Sequence, residues 1–184
     1  NGDGELMATY STIKGFNIKS LASDPLTSSI AAGTWASANA MPATKYLGYE
    51  AGTQTANLQA GGATAPPANT NQTNTSFEYD GTSWTAGNNM LTTRFGGVGF
   101  GTQTGAIAAG GAFSPGSTKT DAVESYDGTS WTAASANLSV AKRGMGGAGT
   151  STAGLTFGGY TPSPTKLVTT EKWNGSAWTE VGDM

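Results

Sequence analysis

Trp35, Trp84, Trp131 and Trp178 stand 49, 47 and 47 residues apart, each inside a near-copy of one segment. The copies read Gly33-Thr34-Trp35, Gly81-Thr82-Ser83-Trp84, Gly128-Thr129-Ser130-Trp131 and Gly175-Ser176-Ala177-Trp178. Self-similarity at a period of about 40 to 50 residues means stacked supersecondary units, each too small to bury its apolar face alone. This period constrains the fold more than any single residue does.

Three further landmarks keep the same period. A Gly-Thr turn recurs at Gly52-Thr53-Gln54-Thr55, Gly101-Thr102-Gln103-Thr104 and Gly149-Thr150-Ser151-Thr152. A glycine doublet recurs at Gly61-Gly62, Gly110-Gly111 and Gly158-Gly159. An aromatic-polar-Gly turn recurs at Tyr79-Asp80-Gly81, Tyr126-Asp127-Gly128 and Trp173-Asn174-Gly175. Asp-Gly and Asn-Gly between alternating apolar residues predict a hairpin with a type I′ turn. The landmarks divide each unit into four short strands, which for the second unit are about 95–100, 105–111, 121–126 and the strand carrying Trp131. No stretch sustains the apolar spacing of a helix. The expected fold is therefore all-β: three full four-stranded antiparallel blades plus an extra outer strand at Trp35, propeller-like or a three-sheet prism. The repeat domain spans 33–184, in units of about 37–86, 87–133 and 134–180, behind an N-terminal arm at 1–32.

The repeat assigns roles. The glycine doublets let backbones approach where sheets crowd. The tryptophan on the outer strand fills the gap between sheets, joined by Met41, Met90 and Leu138. Lys45, Arg94 and Lys142-Arg143 precede each first strand; they suit bonds to a neighbouring unit's carbonyls or face water, and water is the expectation here. Glu124 and Glu171 align with Phe77 and read as strand surface positions. Asp80 and Asp127 read as turn formers.

Composition removes several kinds of chemistry. The chain has neither histidine nor cysteine, which takes away the commonest general base, the commonest metal ligand and any disulfide. Its net charge is −3 with nine scattered Lys and Arg, no basic patch for nucleic acid. No run of about 18 apolar residues suits a membrane span, and no leader pattern is visible. A glycosidase needs two facing carboxylates, whereas Glu50, Glu78, Asp121 and the acids above fall mostly at repeat-equivalent turns. Gly96 to Gly101 is glycine-rich but lacks a P-loop lysine. No enzyme, no metal and no cofactor are expected.

A glycine doublet, then Tyr-Asp, then Trp at this spacing resembles the kelch repeat of β-propeller proteins, over residues 33 to 184. Copper oxidases of that type need His and Cys ligands, which are absent here. The leading segment, with Ile13, Phe16, Ile18 and Leu21 followed by Asp24-Pro25, resembles that of kelch-like structural proteins of marine and cyanobacterial phages. That resemblance implies a virion component in a tail, fibre or capsid-surface role, with this arm as a docking strand; the alternative is a plain terminal strand. A propeller closes with four to eight blades, so three blades and a spare strand imply a longer protein, strand sharing with another subunit, or a prism. The expected partners are other copies of the chain and other virion proteins, located in the virion. The alternative function is a lectin-like module stacking Tyr46, Tyr49, Phe100, Phe113 or Tyr160 on a host surface glycan.

Overall fold

A computed structural model describes residues 37–68, 70–113, 118–163 and 165–184. The chain divides into two compact units, Asn1–Ser37 and Ala38–Met184, and the description below is of the second. Trp35 and the arm residues Ile13, Phe16, Ile18 and Leu21 lie outside the described residues.

The described residues form twelve strands and no helix. Blade 1 holds β1 (Tyr49–Thr53), β2 (Ala56–Ala60), β3 (Ser76–Tyr79) and β4 (Trp84–Gly87). Blade 2 holds β5 (Val98–Thr102), β6 (Gly105–Ala109), β7 (Val123–Tyr126) and β8 (Trp131–Ala133). Blade 3 holds β9 (Gly146–Thr150), β10 (Ala153–Phe157), β11 (Thr170–Trp173) and β12 (Trp178–Val181). Each blade is an antiparallel sheet with its strands in chain order, so the landmark spacing predicts the strands to within a few residues. β5 packs against both β1 and β9, whereas blades 1 and 3 share no comparable strand contact. The three sheets follow one another in series, with blade 2 between blades 1 and 3.

The two hairpin turns of a blade have different chemistry. Thr53 pairs with Ala56, leaving the two-residue loop Gln54-Thr55. Tyr79 pairs with Trp84 across a four-residue loop, 80–83, and not across the two-residue type I′ turn predicted from Asp-Gly. Only Gly81 takes a positive φ there. Asp80 instead uses its side chain: Oδ1 accepts the amides of Thr82 and Ser83, both at 2.8 Å. Asp127 does the same for Thr129 and Ser130, and Asn174 for Ser176 and Ala177. Carboxylate and amide oxygens are equivalent acceptors for this purpose, which explains the Asp-Asn exchange. Accepting those amide bonds holds the Asp80 and Asp127 carboxyls below the usual range.

The core lies between the blades. Along each strand alternate residues face the preceding blade (the front) or the following one (the back). The junction of blades 1 and 2 buries Tyr49, Leu58 and Ala60 against Ala106, Ala108 and Trp131. The junction of blades 2 and 3 buries Phe100, Ile107 and Ala109 against Met145 and Trp173, with Trp178 packed on them. On the inner strands, small residues of a front meet large ones on the back before it. A Cβ at Gly154 would stand 2.4 Å from Phe100, and one at Gly97 2.4 Å from Tyr49.

Candidate functional site

The most specific chemistry in the molecule sits at the blade junctions. Arg94 enters blade 2 from the connection before β5 and is fully buried. Its guanidinium donates to the carbonyls of Gly110 (2.6 Å), Ala122 (2.8 Å) and Ala108 (3.1 Å) and pairs with Glu124 at 3.3 Å. Glu124 also accepts the Leu91 amide and the Thr92 hydroxyl. Lys142 repeats the arrangement in blade 3, with Nζ 2.7 Å from Glu171, which accepts the Ser139 amide. Arg94 and Lys142 therefore do not face water, and Glu124 and Glu171 are not surface positions: their exposures are 0, 0, 3 and 0%. A buried charge persists only when it is compensated: Arg94, Glu124 and Glu171 are paired and also hydrogen-bonded, whereas Lys142 Nζ has the Glu171 pairing and no further hydrogen bond.

Blade 1 departs from this pattern in a correlated way. Pro42 stands where the other units have Leu91 and Ser139, and it has no amide proton to donate. The carboxylate position is accordingly Phe77. Lys45 lies with Nζ 5.5 Å from the Phe77 ring centre and donates to Thr75 and to the Gly61 carbonyl. Partial burial without a carboxylate lowers its pKa to about 8.

Aromatic side chains cross the junctions. The Tyr49 hydroxyl donates to the Gly110 carbonyl at 2.7 Å, under the Arg94 guanidinium. Burial pushes its pKa up to about 12, against the pull of the Arg94 charge. Trp131 donates its indole N–H to Ser76 of blade 1 at 3.1 Å, and Trp178 packs edge-on to Phe100. Tyr126 donates to the Glu78 carboxylate, and burial with that bond raises its pKa. Gln103 reaches across to the carbonyls of Asn57 (3.0 Å) and Tyr79 (2.7 Å). Met90 and Leu138 are buried in the junctions, while Met41 is half-buried.

The residues singled out for glycan stacking separate into two groups. Tyr49 and Phe100 are 2 and 4% exposed inside the junctions, so their rings cannot meet a sugar. Tyr46 is half-buried with its hydroxyl on the Ala65 carbonyl, and Phe113 is half-buried. Tyr160 is half-buried and already engaged by two cations, Arg143 and Lys119. Among the described residues no group of three or more acidic side chains is placed to hold a metal ion, and no helix is long and apolar enough to cross a membrane.

The back of blade 3 carries junction chemistry with no blade against it among the described residues. Leu155 occupies the position of Leu58 and Ile107, yet is 42% exposed where they are 1 and 2%. Phe157, at the position of Ala60 and Ala109, is 38% exposed. Met184 donates its amide to Val168 as Met90 does to Asn74 and Leu138 to Asp121, but is 69% exposed. Val168 and Val181 extend the patch. Contiguous exposed apolar surface of this kind marks a binding surface.

No family model and no curated protein matches the chain. Among solved structures, that of YjhT is similar with a TM-score of 0.66 at 17% identity, over 80% of this chain and 49% of that one. This chain thus spans about half the length of that one. The likeness establishes the blade-type fold. In all, 138 chains of solved structures match, and a fold does not by itself specify an activity.

Proposed function

We propose that the chain is a non-enzymatic structural protein of a virion, a kelch-like module that works by assembly rather than by chemistry. The observation that carries this reading is the apolar back of blade 3, where Leu155, Phe157 and Met184 lie exposed in junction positions. The buried ion pairs Arg94–Glu124 and Lys142–Glu171 tie the connections between blades to the sheets that follow them. The leading segment's resemblance to phage structural proteins supports placement on a tail, fibre or capsid surface, through the arm at 1–32. The test is immunogold labelling of intact particles with antibody against the repeat domain. Label at a fixed site on the particle is the expected result, and its absence from purified particles by labelling and by mass spectrometry overturns the reading. Glycan binding is the second reading. It keeps only Tyr46, Phe113 and Tyr160 as contacts, and a glycan array with the Tyr160→Ala variant as control tests it.

A further inference from the structure

We infer that two copies of the chain join head to tail, the back of blade 3 in each receiving the front of blade 1 in the other, to close a six-bladed ring. The inference rests on the assembly reading above and adds its partner, its surface and its geometry.

Backbone groups left over at the two ends match. At each internal junction two loop bonds recur. The Gly62 amide donates to the Arg94 carbonyl and the Gly96 amide to the Leu47 carbonyl; Gly111 and Lys142, then Gly144 and Gly96, repeat them. At blade 3 the next pair would use the Gly159 amide and the Gly144 carbonyl. At blade 1 the corresponding groups are the Lys45 carbonyl and the Leu47 amide. None of these four groups makes such a bond among the described residues. Donor meets acceptor at both places when blade 1 of a second copy follows blade 3.

Side chains match in the same register. Gln54 sits where Gln103 does in blade 2 and is exposed, free to reach the Gly154 and Trp173 carbonyls as Gln103 reaches those of Asn57 and Tyr79. Trp84 is half-buried against Tyr79, in the position of Trp131. The position of Ser76, which accepts the Trp131 indole, is Thr170 in blade 3 and again offers a hydroxyl. Blade 2 has Val123 there, and the Trp178 indole N–H is indeed without a partner. The outer ends of the chain are thus better matched for this bond than its second junction.

Number follows from closure. Propellers close with four to eight blades, so three cannot close, two copies supply six and three copies would supply nine. The aligned 80% of one copy covers 49% of the YjhT chain, so the aligned parts of two copies match nearly its whole length. One feature sets the strength of the contact. Glu50 stands where blades 2 and 3 have Gly99 and Gly147, and a Cβ at Gly99 would come within 2.5 Å of the β1 backbone. The inner strands at the intermolecular junction are therefore held further apart than at the internal ones, and Glu50→Gly should tighten association roughly tenfold.

Light scattering of the full chain over a concentration series tests this. The expected mass at the upper end is twice the chain's 18.5 kDa, and a monomer throughout overturns the inference. Leu155→Glu and Trp84→Glu should each yield folded monomers by circular dichroism, and a mixture of the two should recover a heterodimer through the one intact junction. Gln54→Glu, isosteric and at an exposed position, keeps the fold and should weaken the dimer roughly tenfold. A dimer lost in Leu155→Glu but unaffected by Gln54→Glu and Trp84→Glu would be back to back, and overturns the ring. None of these outcomes bears on whether the protein is found in particles.

Discussion

Leu47 is the residue most at odds with its backbone. It has φ 56° where the equivalent Gly96 and Gly144 have 69° and 67°. A left-handed L-residue costs about 1–2 kcal/mol, of which the extra unfolded-state freedom of glycine would return part. Leu47→Gly is expected to raise stability by about 1 kcal/mol, read as a higher urea midpoint at unchanged slope. Two titrations give opposite pH slopes. Lys45, lowered from 10.5 to about 8, binds protons more weakly when folded, so its contribution to stability rises between pH 8 and 10.5. Tyr49, raised from 10.0 to about 12, holds its proton better when folded. Its contribution of about 2–3 kcal/mol is complete below pH 10 and is lost as pH climbs toward 12. Unfolding midpoints from pH 8 to 12 should show a loss above 10, and Tyr49→Phe should reduce it, the remainder coming from Tyr126, whose pKa is also raised.

At the scale of the element, the buried pairs are held by mutual need. Lys142→Met leaves Glu171 charged and buried, and is expected to cost about 3–5 kcal/mol. Lys142→Met with Glu171→Leu should recover most of that, short of the Ser139 amide it orphans. Calorimetry on the two variants checks the difference, and equal losses would refute the coupling. These pairs also show where the sequence was legible. Strands, turn positions and blade number followed from landmarks that repeat in every unit, since a period registers directly in the residues, whereas the type of the Asp-Gly turn did not. The role of Glu124 did not, because one unit carries Phe77 in its place and the alignment then looks like a variable surface. The missed signal was pairwise: a carboxylate appears only in units whose connection has an amide to offer, Leu91 or Ser139 but not Pro42. Tyr49 and Phe100 were misplaced for a related reason. An aromatic on an inner strand faces a neighbouring sheet, and single-unit reasoning contains no neighbour.

Across the whole molecule, stability is a chain of nearest-neighbour terms, as in other repeat arrays. Blade 2 has a partner on both faces, whereas among the described residues no blade covers the back of blade 3. Amide hydrogen exchange of the monomeric Leu155→Glu variant should therefore be slowest in β6 and fastest in β12, and uniform protection would contradict a series arrangement. Each blade also stacks two rings beside its outer turn: Tyr79 with Trp84, Tyr126 with Trp131, and Trp173 with Trp178 at 5.2 Å and 37°. Only blade 3 pairs two indoles. Transitions of like chromophores so close and so tilted couple, and the coupling gives a bisignate dichroic band that the tyrosine-containing pairs do not give. The third blade thus carries its own optical signature, and its melting or its coverage can be followed by light absorption alone, with no label attached.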